Sequence, residues 1–226
     1  MKKERKVRTD GDLTRARLKK AAQRLFALKG IHGASIKDII DLADQKNKAS
    51  LQYHFGSKEA LIAELVLDGA KTIDARRKQL LLKIEDELSV RKILEALIYP
   101  VNEIVESDPE GSTYIRFVSD LQMNHRILLR EILGNKWNSG YRRCLELIKE
   151  LSPGIHSAVL EQRLSMVGIY SNAIFAAKEA SFDSSKTTNR FWLPPFTIEN
   201  IIDSLEFILI GTPSSQTQKL ISNTRS

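Results

Sequence analysis

Residues 46 to 58 read Lys-Asn-Lys-Ala-Ser-Leu-Gln-Tyr-His-Phe-Gly-Ser-Lys, a stretch of cations, amides, hydroxyls and one imidazole with no carboxylate. These types suit the recognition of phosphates and base edges. Lys48 is able to pair with guanine, and Asn47 and Gln52 with adenine. Ala49 and Ser50 are small enough to permit close approach, and Lys46 adds a cation just before them. Phosphate contacts come from basic side chains, hydroxyls and helix N-termini, and they position rather than specify. Ser35, Lys37, Ser57 and Lys58 stand at helix starts, and Arg15 and Arg17 at the front of another helix. The plainer readings are capping for the two serines, packing for His54 and a solvated helix face for the polar run.

Bond-making chemistry finds less support. Cys144, His125 and His156 are the only Cys-His material of note, and no glycine-rich loop or matching motif accompanies them. Four His without metal-ligand spacing predict no metal site and no cofactor. One Cys excludes a disulfide framework within the chain. The expectation is a binding protein and not an enzyme.

Charge is uneven along the 226 residues. Residues 1–58 hold 15 Lys/Arg against 6 Asp/Glu, whereas residues 59–226 hold 20 against 22. The basic first quarter points to a polyanion partner, either nucleic acid or an anionic membrane surface. A loose basic tail explains Lys2 to Arg8 but not the ordered apolar pattern after it. A membrane-surface helix would need a bulky apolar face, and here that face is required for a core. No run approaches the ~18 apolar residues of a membrane span, and no apolar stretch of signal-peptide length follows the basic start. A cytoplasmic location without membrane contact is expected.

These residues need elements to position them, and the elements read as helices. Leu18, Ala21, Ala22, Leu25 and Phe26 share one helical face, in a helix predicted from Asp12 to a stop at Gly30. Ser35 looks like an N-cap with Asp38 as its capping-box acid, opening a second helix on Ile36, Ile39, Ile40 and Ala43. Asp44 to Lys48 breaks it. Ala49 to Phe55 is a third short helix with Leu51 and Phe55 inward, ended by Gly56, and Ser57 caps a fourth carrying Leu61, Ile62, Leu65 and Val66. This is a basic helix-turn-helix, whose second short helix would enter the major groove of DNA.

The remainder is also helical. A face from Ile93 to Val105 is interrupted by Pro100, which predicts a kink. After a break at 107–111, helices are expected over Tyr114–Leu133, Trp137–Leu151, Ser157–Ala180 and Ile198–Ile210. An irregular loop spans Ser181–Pro195, and a loose tail follows Ser214. No strand alternation is visible, so the fold class is all-α, divided into residues 1–58 and 59–226.

Thr14-Arg-Ala-Arg17, Ala21-Ala22, Leu25-Phe26, Lys29-Gly30, Ser35-Ile36, Ile39, Tyr53-His-Phe-Gly-Ser-Lys58 and Leu61 together resemble the DNA-binding domain of the TetR family of transcriptional regulators, over roughly residues 12–65. The chain departs from the commoner Ala-Gly-Val-Ser-Lys-Gly before the recognition helix. It has Ala43-Asp-Gln-Lys-Asn-Lys48, with Asp44 in place of a turn Gly, Ile40 in place of a usual Ala, and one residue more before Phe55. It is similar here to a subgroup with Gln-basic-Asn before that helix.

The resemblance implies backbone contacts for Tyr53 and His54. It implies a homodimer through the helices near 157–180 and 198–210 and hence a palindromic operator on double-stranded DNA. It also implies a C-terminal cavity for a small hydrophobic effector. Tyr99, Tyr114, Phe117, Leu121, Met123, Trp137, Tyr141, Met166, Tyr170 and Phe175 are the candidates for that cavity, with core packing the plainer role for each. The function implied is a repressor released by its ligand. An activator, or an architectural protein that binds any duplex with a steep salt dependence, stands as the alternative.

Overall fold

The computed structural model describes residues 10–47, 49–108, 112–134, 137–183 and 190–223. Lys48, the basic arm up to residue 9 and the expected breaks at 109–111, 135–136 and 184–189 lie outside them. Among the described residues the chain forms α1 (Asp10–Gly33), α2 (Ile36–Leu42), α3 (Ala49–Phe55), α4 (Lys58–Lys83), α5 (Val90–Glu106), α6 (Tyr114–Asn124), α7 (Arg126–Leu133), α8 (Ser139–Glu150), α9 (Ser157–Ser181), α10 (Thr197–Ile210) and α11 (Ser215–Asn223). The all-α expectation holds.

The helices are amphipathic in the register the sequence sets. Leu18, Ala22 and Phe26 of α1 are fully buried, as are Leu61 and Val66 of α4. Central helix α5 buries Ile93, Leu94, Ala96, Leu97 and Ile98 and packs against α4, α8, α9 and α10. Helix α1 lies along α6, and α6 along α9. Phe26 and Phe117 meet at 5.7 Å between ring centroids where α1 crosses α6.

Gly30 interrupts α1 as expected: at φ +69°, a conformation that only Gly adopts at little cost, it ends the first helical run, and a short second run follows that buries Ile31. Three expectations need correction. Ile36 faces solvent at the first position of α2. The expected helix 114–133 is two, divided at His125 (φ −137°, ψ 41°), whose ring meets His32 of α1 at 4.9 Å. The tail is helical over Ser215–Asn223, started by the Ser214 hydroxyl, which accepts from the Thr217 N–H at 3.2 Å. A Ser three residues before a Thr after Gly-Thr-Pro is a weak start signal, and α11 buries nothing that would have shown as a pattern.

Candidate nucleic-acid interface and ligand cavity

The helix-turn-helix is assembled largely by local bonds. The Ser35 hydroxyl accepts from the Asp38 N–H at 3.1 Å, and the Asp38 carboxylate accepts from the Ser35 N–H at 3.0 Å. That capping box holds Asp38 below the ordinary carboxylate range, the backbone bond first. Ile39, Ile40 and Ala43 then pin α2 to the core. Asp44 turns the chain at φ +53°, a left-handed conformation that carries some steric cost for a residue with a Cβ. The Gln45 N–H bonds the Ile40 carbonyl at 3.0 Å, and the Gln45 amide the Ala43 carbonyl at 3.2 Å. Asn47 Oδ1 accepts from the Ala49 N–H at 2.8 Å and so starts α3.

Seven residues are too few for a helix to persist alone. Helix α3 persists because Leu51 is buried and because α2 and α4 flank it. Phe55, expected in the core, is half-buried, with the Arg15 guanidinium 4.6 Å from its ring centroid. Gly56 at φ +77° ends the helix, and the Ser57 hydroxyl accepts from the Ala60 N–H at 3.0 Å to open α4.

This anchoring leaves one polar face outward. Lys46, Asn47, Ala49, Gln52 and Tyr53 are exposed, Tyr53 at 85%, and Ser50 and His54 are half-buried. Arg17, Ser35 and Lys37 are exposed nearby. Two basic residues have intramolecular duties. Arg15 forms a paired hydrogen bond with Glu64 of α4, joined by Lys19. Burial alone would raise the Glu64 carboxyl, but the bonds from Arg15 and Lys19 hold it below its ordinary range. Lys58 Nζ donates to the Ala34 carbonyl at 2.6 Å, and so ties the start of α4 to the α1–α2 link.

A cavity of about 400 Å³ lies among α4 to α9. Ile73, Leu97, Val101, Val118, Leu129 and Val167 supply apolar walls, and Arg77, Gln122, Asn138 and Asn172 polar groups. Of the ten residues expected around a ligand, Tyr114, Trp137 and Tyr141 line it. Phe117, Leu121 and Phe175 are fully buried in the core instead, because they point from α6 and α9 into helix contacts. Met123 and Met166 are exposed. Tyr170 packs against the core without lining the cavity. Tyr99 is engaged elsewhere: its hydroxyl donates to Glu199 of α10 at 2.6 Å, and burial, then Glu199, pushes it up to about 12.

Sequence reasoning missed Arg77, Arg126, Arg130, Gln122, Asn138 and Asn172, all cavity residues. Arg77 sits in Ala75-Arg-Arg-Lys78, a run that reads as solvated surface; only the packing of α5 and α8 onto α4 makes it an interior group.

Helix α4 joins the two regions. It begins at Ser57–Lys58 behind the exposed face of α3, and the same helix lines the cavity with Val66, Ala70, Ile73 and Arg77. Tyr114 locks α6 to it by donating to the Val66 carbonyl at 2.9 Å, and its ring occupies the space a side chain at Gly69 would need.

A short helix with a polar exposed face, held at the end of a helical bundle by a capped turn, is the architecture of a helix-turn-helix DNA-binding protein. Comparison with known proteins agrees. Residues 18–65 match the family described as bacterial regulatory proteins, tetR family. Over 187 residues the chain is 27% identical to the HTH-type transcriptional regulator UidR of Escherichia coli K12, covering 78% of this chain and 90% of that one. It is 26% identical over 182 residues to the uncharacterized HTH-type transcriptional regulator YdgC of Bacillus subtilis, covering 76% and 91%. In fold it is similar to the TetR-family regulator PfmR of Thermus thermophilus, with TM-score 0.52 at 19% identity over 88% of this chain and 100% of that one. The probable transcriptional regulatory protein RHA5900 gives 0.55 at 19%, over 88% and 99%. Residues 18–65 thus match the DNA-binding domain of the tetR family, and most of the chain is similar to HTH-type transcriptional regulators. No helix among the described residues is long and apolar enough to cross a membrane.

Proposed function

We propose that the protein is a homodimeric repressor that leaves a palindromic operator when a small molecule fills the cavity. The carrying observation is that α4 is a single helix whose first turn supports α3 and whose middle turns wall the cavity. A ligand that favours one position of α4 therefore changes the spacing of the two recognition helices, provided its affinity differs between the two states. Helix α6 offers a second route, because it lines the cavity and packs along α1.

Dimerisation through α9 and α10 is supported by exposed apolar side chains on both: Met166 and Ile169 on the first, Phe207 and Ile210 on the second, with Phe207 at 74%. A two-fold dimer mirrors its symmetry in the half-sites, spaced by about one turn of DNA, ~34 Å. Base reading falls to Lys46, Asn47, Lys48, Ala49, Ser50 and Gln52. Anchoring falls to Arg17, Ser35, Lys37, Tyr53 and His54, while Arg15 and Lys58, engaged within the protein, hold the helices that present them. The Gln45-Lys-Asn47 turn supports membership of the corresponding subgroup, with residues 1–58 as the DNA-binding part and 59–226 as the effector-dimerisation part, in the cytoplasm.

The test is selection from a random duplex pool at near-physiological salt, with mass measured in solution. Enrichment of a palindrome by a dimer is the expected result. Binding that only follows salt, without enrichment, refutes the reading in favour of an architectural protein.

A further inference from the structure

Among the described residues, the cavity is lined by three arginines and by no aspartate or glutamate. Arg126 and Arg130 are solvent-exposed. Arg77 is different: it is only 7% exposed, and its guanidinium lies 5.7 Å from the Tyr141 ring centroid. Its Nη2 donates to the Leu97 carbonyl at 3.2 Å, and its Nε is buried with no hydrogen-bond partner among the described residues.

The Asp74 carboxylate acts on the guanidinium through space without a hydrogen bond to it. Asp74, one turn earlier on α4, accepts instead from the Gly140 N–H at 2.7 Å, from Lys78 at 2.8 Å and from the Ser139 hydroxyl at 3.3 Å. Burial pushes the Arg77 guanidinium down from its ordinary value, but an arginine in a protein does not give up its proton. The site thus holds a positive charge that Asp74 offsets only through space and that no carboxylate hydrogen-bonds among the described residues, a costly arrangement unless a ligand supplies one. A second orphan lies in the same wall: Asn138 Oδ1 is buried without a donor among them.

We propose that the effector is a small organic carboxylate. Its acid group takes the Arg77 Nε–H, a hydroxyl or amide N–H of the same molecule donates to Asn138 Oδ1, and its apolar body lies against Ile73, Trp137 and Val167. Arg126 and Arg130 attract the anion as it enters. The proposal rests on the reading of the cavity as the effector site, and it narrows the effector from hydrophobic to amphiphilic and singly charged. Arg suits the task because its rigid fork matches a carboxylate, where lysine offers only a point charge.

The experiment uses the full chain and three hydroxy acids, 4-(4-hydroxyphenyl)butanoate, 6-hydroxy-2-naphthoate and 8-hydroxyoctanoate, each paired with its primary amide. Trp137 fluorescence and thermal shift read binding. At least one acid is expected to bind ten times more tightly than its amide, and in Arg77→Met the ratio is expected to fall below threefold. Arg77→Lys serves if Arg77→Met does not fold, with at least a threefold loss of the ratio expected. The proposal is overturned if no acid is preferred over its amide, or if the preference survives both substitutions. Operator binding is measured beside it. An acid held through Arg77 that leaves operator affinity unchanged upholds the anion site and refutes the effector reading. An amide that releases the operator while its acid is inert refutes the carboxylate proposal alone.

Discussion

Replacing Asp74 tests how the cavity wall is held together. Its side chain is 3% exposed, and Oδ1 accepts from the Gly140 N–H at 2.7 Å, in the first turn of α8. Asn138, the residue before α8, makes no capping bond of its own, so the cap is supplied by α4. Asp74→Ala removes a charged-group hydrogen bond, about 1.5–3 kcal/mol, and strands a buried N–H, about 1–3 kcal/mol. Its pair with half-exposed Lys78 adds little, since a surface partner is worth about 0–1 kcal/mol. The expected loss is about 3–5 kcal/mol, a fall of roughly 6–20 °C in Tm for a chain of this size. Asp74→Asn keeps an acceptor for Gly140 and is expected to cost only about 1 kcal/mol. Urea unfolding and calorimetry of both variants provide the comparison. The pH profile is an independent check. Burial alone would raise the Asp74 carboxyl, but bonds from Lys78, Gly140 and Ser139 hold it below its ordinary range. The unfolded chain therefore takes up the proton first as pH falls, so the stabilisation is complete above about pH 4 and lost below it. Asp74→Asn should flatten that acid limb. Equal losses for the Ala and Asn variants, or an unchanged acid limb, would refute the cap reasoning.

Glu179 of α9 accepts from the Ile115 and Arg116 N–H groups at 3.0 and 2.8 Å, capping α6 from outside, and burial pushes its carboxyl up despite those bonds. The folded state then holds the proton better, so this group's contribution to stability declines as pH rises through the raised value; Glu179→Gln should remove that decline in a pH series of unfolding curves. Asp44→Gly relieves a left-handed residue at φ +53° and is expected to stabilise the protein by up to about 1 kcal/mol, read as a Tm rise of a few degrees. Gln52→Ala should cost about 1–3 kcal/mol on the preferred operator and relax its sequence, whereas Lys37→Ala should weaken all duplexes alike in titrations at fixed salt; matching behaviour would contradict the division into readers and anchors.

The N-terminal elements were legible because their determinants are close in sequence. The Ser35–Asp38 box, the Ser57 cap and the Gly56 stop each act within a few residues, and Leu51 is buried where helical spacing puts it. The exposed face of α3 follows by subtraction, since its inward positions are already taken. Lys58 shows the limit of such reading: a cation at a helix start looks like a phosphate anchor, yet its ammonium bonds a carbonyl 24 residues earlier.

Local chemistry alone thus determined the helical class, the helix-turn-helix and the basic binding face. The tertiary structure decided where α6 and α8 begin, because neither makes a capping bond through its own preceding residue and both borrow a carboxylate, from α9 and α4. It also decided which side chains meet at the cavity. A buried arginine and a surface arginine are the same letter on a polar helix turn, and only the helices packed over Arg77 separate it from Arg76, which pairs with Glu103 at 3.0 Å in solvent.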